Sequence, residues 1–269
     1  VDMATPYMRC CTCSLRPPYD EELCTQAYNG NLSQQCAVSL LETVSSVMDL
    51  ATNGDWKVVS PDISFPSHAR ITVPRSLDQV VFEAAMEDIQ VHLSEHLVML
   101  IRLVRYLGVS LREAFFFDAK SAQKDAVAEK IFYVISSEDP YDNRIINISS
   151  PEQMTILEKA SAIENPRRGH PATLEAWRKW KQKNLPAAKE LLLAHGLSID
   201  DCRAAYACEF YWQMSGHKAP ILGGNAPHGE DIEARNQLAY ELGYLRIWET
   251  DAYVGARTTP LTEAAGPSR

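Results

Sequence analysis

Apolar residues recur at three- and four-residue spacing along most of the chain, the mark of helices that bury one face. Between residues 32 and 50, Leu40, Leu41, Val44, Val47 and Met48 form such a stripe, and Asn53-Gly54 ends it. Pro61, Pro66 and Pro74 then mark residues 55–75 as a linker. Ser76-Leu77-Asp78-Gln79 has capping-box spacing, which predicts a helix with Val80, Val81 and Ala84 inward. The next helix carries Leu93, Leu97, Leu100, Ile101 and Val104 on one face and ends near Gly108. The period then changes. Residues 131–135 and 144–148 are short, β-branched and aromatic, and Asp139-Pro140-Tyr141-Asp142-Asn143 supplies a turn between them. Ser150-Pro151-Glu152-Gln153 combines a serine cap, an N1 proline and a capping-box glutamine, so a helix runs on to about Ile163. Further helices are predicted over 173–183 and 186–194, after Asp200, and up to Gly243, which suits a left-handed C′ position. A short helix follows, with Ile247 and Thr250 at helical spacing and Tyr253 one turn beyond.

This succession predicts an α+β fold, mainly helical, with a small β-hairpin or sheet. No apolar run is long enough to span a bilayer, and the start does not read as a signal peptide, so a cytoplasmic protein with no membrane partner is expected.

Two stretches carry a resemblance. Leu242-Gly243, then Ile247, Thr250 and Tyr253, resembles the C-terminal box of tyrosine recombinases, the phage-integrase family. Asp200-Asp201-Cys202-Arg203 resembles that family's His-x-x-Arg box, and 215–224 is similar to a subgroup of integrase-domain proteins. The resemblance covers roughly residues 77–255. It implies a tyrosine-recombinase-like catalytic domain over 76–257. Residues 1–75 would hold a tail and a remnant of the helical core-binding region, and 258–269 a flexible tail. The implied activity is site-specific recombination or integration of double-stranded DNA through a 3′-phosphotyrosine. The implied partners are DNA and another copy or another recombinase on it. That chemistry needs neither metal nor cofactor. A tyrosine with a pKa near ~10 needs neighbouring positive charge to attack, and arginine forks suit the phosphate oxygens.

The carry-over is partial. Tyr253 falls on the nucleophile and Arg203 on the second arginine. Tyr244 replaces the second histidine or tryptophan, and Asp200 replaces the first histidine. Ser110 falls on the first arginine, with Arg112 two residues on as a substitute. The hairpin turn, 136–143, has no lysine and is acidic. These departures leave two alternatives: a catalytically impaired integrase-fold protein that binds DNA or a partner recombinase, and an α-helical interaction protein.

Charge bears on this. The net charge of −9 opposes DNA binding. The residues 167–189, however, hold Arg167, Arg168, Arg178, Lys179, Lys181, Lys183 and Lys189 against Glu175 and Glu190. Arg178, Lys179, Lys181 and Lys183 are therefore the candidate DNA contacts, with a solvated helix face as the plain reading. Of seven cysteines, five lie at Cys10, Cys11, Cys13, Cys24 and Cys36, without paired Cys-x-x-Cys spacing for zinc. Cys202 and Cys208 read as small core residues. The spacing of His217 and His228 fits no metal pattern. Phosphate-loop, dinucleotide, zinc-protease and nucleophile-elbow motifs are absent.

Overall fold

Among the described residues the helical periodicity folds into helices with one antiparallel pair of short strands, the mainly helical α+β class expected. The computed structural model describes residues 22–23, 25–27, 32, 34–51, 70, 72–134, 143–163, 173–244 and 246–256. The hairpin turn at 136–142, Arg167, Arg168, the 258–269 tail and Cys10, Cys11, Cys13 and Cys24 lie outside them. The chain divides into two compact units, residues 1–68 with 260–269, and residues 69–259. In the first, α1 (Gln34–Ala51) buries Ala37, Leu41 and Met48, and Leu23 and Ala27 join Ala37 and Leu41 in a small cluster.

The second unit runs as follows. A 3₁₀ turn (Arg75–Leu77) leads to α2 (Gln79–His92), α3 (Glu95–Leu107), α4 (Leu111–Phe116) and α5 (Ala119–Glu129). Strands β1 (Ile131–Val134) and β2 (Arg144–Asn147) pair with Phe132 opposite Ile146. Then come α6 (Pro151–Ala162), α7 (Leu174–Ala194), α8 (Ile199–Ser215), a 3₁₀ turn (Pro220–Leu222) and α9 (His228–Leu242). A third 3₁₀ turn (Ile247–Thr250) runs into α10 (Asp251–Val254).

Helix α3 is the spine of the larger core. Leu97, Leu100, Ile101, Val104 and Leu107 are all buried, each contributing on the order of 1.5–3 kcal/mol. It packs against α2, α4, α6 and α8. Helix α8 is buried continuously from Asp201 to Cys208. Ala204, Ala205 and Ala207 let neighbours approach it from every side, and Cys202 and Cys208 are core residues as expected. Its second half, with Tyr206 and Tyr211, forms a separate core with Leu238 and Leu242 of α9 and Val254 of α10.

Several local expectations are corrected. The Ser76–Gln79 capping box does not form. Asp78 caps α2 by accepting from the N–H groups of Val80 and Val81, while Ser76 is buried and donates its hydroxyl to the Asp201 carbonyl. The inward face of α2 is Phe82, Ala85, Met86 and Ile89, and Val80 is 79% exposed. Residues 173–183 and 186–194 form one helix, α7, with Pro186 inside it. Pro186 cannot donate to the Gln182 carbonyl one turn back, and both residues are exposed, so that carbonyl need not be paired within the protein. Helices α4 and α5 add to the predicted elements. The Ser150–Gln153 capping box and the left-handed Gly108 and Gly243 stops are present.

Gly108 carries a double constraint. Its φ is +67°, and a Cβ there would lie 2.2 Å from the Tyr206 ring. Gly108→Ala should therefore lower stability by about 2–4 kcal/mol, combining backbone strain with overpacking. Gly229→Ala, where a Cβ would meet open space, should be nearly neutral by the same chemical denaturation measurement.

Candidate active site

A helix ends with carbonyls that have no partner inside it. At the C-terminus of α9 two buried arginines supply the donors. Arg144 Nε donates to the Glu241 carbonyl at 2.9 Å, and Arg203 Nη2 donates to the Leu242 carbonyl at 2.7 Å. Positive charge is favourable there because the helix dipole places partial negative charge at that end. Arg203 Nε also donates to the Gly108 carbonyl at 2.8 Å, so one guanidinium joins the ends of α3 and α9.

The chain then turns at Gly243 (φ +76°), where a Cβ would meet the Arg144 guanidinium at 2.7 Å. The returning segment is anchored by Arg235, which is fully buried. Its Nη1 donates to Asp251 at 2.6 Å and Thr250 at 3.2 Å, and its Nη2 donates to the Gly255 carbonyl at 2.9 Å. Thr250 donates to the Ile247 carbonyl at 2.6 Å and closes the 3₁₀ turn.

This return brings Tyr253 to Arg203. Arg203 Nη1 lies 3.1 Å from Tyr244 Oη and 3.2 Å from Tyr253 Oη. The two hydroxyl oxygens are 2.5 Å apart. The guanidinium carbon also sits 5.5 Å from the centroid of each ring. Arg203 is 8% exposed, whereas both tyrosines are half-buried. Burial works against the charge on Arg203, but Tyr253, Tyr244 and Glu113 outweigh it and hold the group cationic. Burial pushes the Tyr244 hydroxyl well above its ordinary value; Arg203 opposes this and the bond to Tyr253 adds to it.

A second charge pair stands behind. Arg144 forms a bidentate ion pair with Glu113, the Nη2–Oε2 arm being 3.0 Å. Burial raises the Glu113 carboxyl, but the bonds from Arg144 prevail and hold it below its usual range, as an anion. Glu113 also accepts from the Ser110 N–H at 2.6 Å, and Ser110 Oγ accepts from the Glu113 N–H, a complete capping box at the start of α4.

Tyr253, Tyr244 and Arg203 are thus brought together from positions up to 50 residues apart. Asp200 and Arg112 take no part in the hydrogen bonds that join them. Asp200 is exposed on the first turn of α8, and Arg112 is half-exposed on the first turn of α4. The inward carboxylate is Asp201, which accepts from Arg70 at 2.7 Å and from the N–H of Ser76 at 2.8 Å. Ser110 is a helix cap. Sequence reasoning missed Arg144, Glu113 and Glu241. Arg144 alternates in phase with the buried Ile146 on β2, and a charge in the inward phase of a strand is the one sequence signal that would have flagged it.

Arg178, Lys179, Lys181 and Lys183 lie exposed along α7. Lys179 pairs with Glu175 at 2.7 Å, and Lys181 Nζ is 6.0 Å from the Trp177 ring centroid. Arg178, Lys181 and Lys189, with Gln182, Leu185 and Pro186, line an open groove of about 460 Å³. Among the described residues no group of histidine, cysteine and carboxylate side chains is arranged to hold a metal ion, and no helix is long and apolar enough to cross a membrane.

No family model matches the chain, and no curated protein matches it. Among solved structures it is similar to XerA recombinase at 13% identity and a TM-score of 0.42, over 95% of this chain and 85% of that one. A likeness at that level carries no argument about activity.

Glu241 links the stability of the fold to pH. Its carboxyl is 2% exposed and accepts from Tyr206 Oη at 3.1 Å. Burial raises it from 4.5 to about 7, against the opposing pull of Tyr206 and Arg144. The folded state therefore holds this proton more tightly than the unfolded chain does. The resulting stability is fully present below pH 4.5 and is lost as pH rises through about 7. Its ceiling is about 3 kcal/mol. In Glu241→Gln the melting temperature relative to wild type should rise from about pH 5 to about pH 8. A difference that does not change with pH would count against a raised Glu241.

Proposed function

We propose that this chain binds double-stranded DNA as an integrase-like protein and that Tyr253 is its strand-cleaving nucleophile, acting slowly. The observation that carries the reading is the shared guanidinium. The two boxes that resemble the recombinase family meet at one point, with Arg203 Nη1 3.2 Å from Tyr253 Oη. In the step this implies, Tyr253 Oη bonds to a DNA phosphorus and the bond to the 5′ oxygen breaks. The tyrosine gives up its proton and the 5′ hydroxyl takes one up. The product is a 3′-phosphotyrosine that a free 5′ hydroxyl can reverse, without metal or nucleotide.

The site's electrostatics support a low rate. Arg203 has already committed Nε and Nη2 to backbone carbonyls and Nη1 to the two tyrosines. Arg144 is neutralised by Glu113. Losing one fixed donor to a developing oxyanion costs on the order of 3–4 kcal/mol, or a hundred- to a thousandfold in rate. The same observation favours a second reading, a relative that binds DNA without cutting it. DNA contact is assigned to the α7 cations, whose charge is local against an acidic whole.

Both readings meet one experiment. Duplexes selected from a randomised pool by retention on the protein are rebuilt with a nick that lets the cleaved end diffuse away. We expect a denaturation-resistant protein–DNA adduct that accumulates slowly and is absent in Tyr253→Phe. Binding without any adduct selects the second reading, and no retained DNA rejects both. Neutralising Arg178, Lys179 and Lys181 together should reduce the slope of log affinity against log salt by about one for each phosphate that is no longer neutralised. An unchanged slope places the DNA-binding surface elsewhere.

A further inference from the structure

We propose that Arg70 is a positioning residue for Tyr253, a staple that closes α10 onto α8 where Arg203 meets the tyrosine. This rests on the reading of Tyr253 as nucleophile and adds to that site a residue outside both recombinase-like boxes.

One residue makes both ties. The main-chain N–H of Arg70 donates to the Asp251 carbonyl at 2.9 Å, and Asp251 opens α10 two residues before Tyr253. The Arg70 guanidinium donates through Nη2 to Asp201 Oδ1 at 2.7 Å, and Asp201 lies on α8 two residues before Arg203. The staple therefore grips each helix beside one partner of the Arg203–Tyr253 contact. Arg70 Nε donates to the Thr72 carbonyl at 2.8 Å, which fixes the plane of the guanidinium.

Asp201 is a firm anchor. Its side chain is 8% exposed, and its carboxylate also accepts from the N–H groups of Arg75 at 3.1 Å and Ser76 at 2.8 Å. The Ser76 hydroxyl donates back to the Asp201 carbonyl, and Arg105 Nε donates to the Ser76 carbonyl at 3.0 Å. A buried carboxylate met by three donors keeps its orientation, so the charge-assisted bond from Arg70 has a fixed target. The other ties on α10 act differently. Arg235 bonds Asp251 Oδ1 and binds α10 to α9, and Cys208 Sγ reaches the Tyr253 carbonyl at 3.8 Å. Val254 packs into the core that α8 and α9 share. A helix of four residues does not hold its own place, and packing through one side chain leaves it free to pivot. Arg70 removes that freedom on the α8 side.

The test needs no DNA. A fluorotyrosine is placed at position 253 of the full chain, and its fluorine resonance is followed under native conditions. Saturation transfer reads the minor population in which the ring has left Arg203. Arg70→Met keeps the stem and loses the donors, and Arg70→Ala loses both. In each, the released population should rise about three- to tenfold, the worth of one hydrogen bond. Arg70→Lys, which reaches Asp201 with a single donor, should stay close to the wild type. Arg75→Ala is the control. It removes the same charge from the neighbouring chain, but the Arg75 side chain lies over Gly196, where a Cβ would come within 2.4 Å of it. It should leave the released population unchanged. A loss of global stability alone does not move this native-state signal. A released population equal to the wild type in both Arg70→Met and Arg70→Ala overturns the proposal. So does an equal rise in Arg75→Ala, which makes general packing or charge the cause. Whether Tyr253 cuts DNA is decided by the adduct assay alone, so failure of the staple and failure of the recombinase reading are separable.

Discussion

Two guanidinium groups buried at the C-terminus of α9 hold the site together. A helix that ends inside a protein must find donors for its last carbonyls, because an unsatisfied buried polar group costs roughly 1–3 kcal/mol. Arg144 and Arg203 take consecutive carbonyls there, Glu241 and Leu242. Each brings a different part of the fold with it: Arg144 brings β2 and Arg203 brings α8. Arg203 also holds the end of α3 through Gly108, so three elements are registered on one planar group. Lysine, a point donor on a flexible stem, has no geometry to do the same.

That solution has a chemical consequence. Donors committed to the backbone are not free for phosphate, and a buried cation paired with a carboxylate presents little field to a ligand. Arg203 retains Nη1 for the two tyrosines, and Arg144 is matched by Glu113. On the proposed reading, structural closure and phosphoryl transfer would draw on the same side chains, which is why slow cleavage with sound DNA binding is the proposed balance.

How much of this is legible in the sequence varies with how much apolar area each element buries. Helix α3 is plain because five large apolar residues repeat on one face. The end of α9 is plain because Gly243 is a stop signal with a physical cause. Helix α5 is not, because Ala122 and Ala126 are its only buried residues and alanines leave little stripe to read. The face of α2 misleads because Val80 and Val81 look apolar, yet Phe82 and Met86 bury more and set the rotation. Pro186 reads as a break, but on a solvent-facing turn its missing hydrogen bond is tolerated. At the site, Tyr253, Tyr244 and Arg203 are found through the spacing of their boxes. Arg144 and Glu113 are not, because their roles arise from a strand and a helix cap meeting in space.

The central claim is that, among the described residues, the Arg203 guanidinium is the one group that bonds the end of α3, the end of α9 and the two tyrosine hydroxyls together. Hydrogen exchange on Arg203→Lys, read peptide by peptide, tests it most directly. The variant keeps the charge but has no fork to reach the Gly108 carbonyl, the Leu242 carbonyl and the two hydroxyls together. The account predicts faster exchange across residues 244–254, 40 or more positions away in sequence, with protection of α2 kept. Exchange across 244–254 that matches the wild type would contradict it.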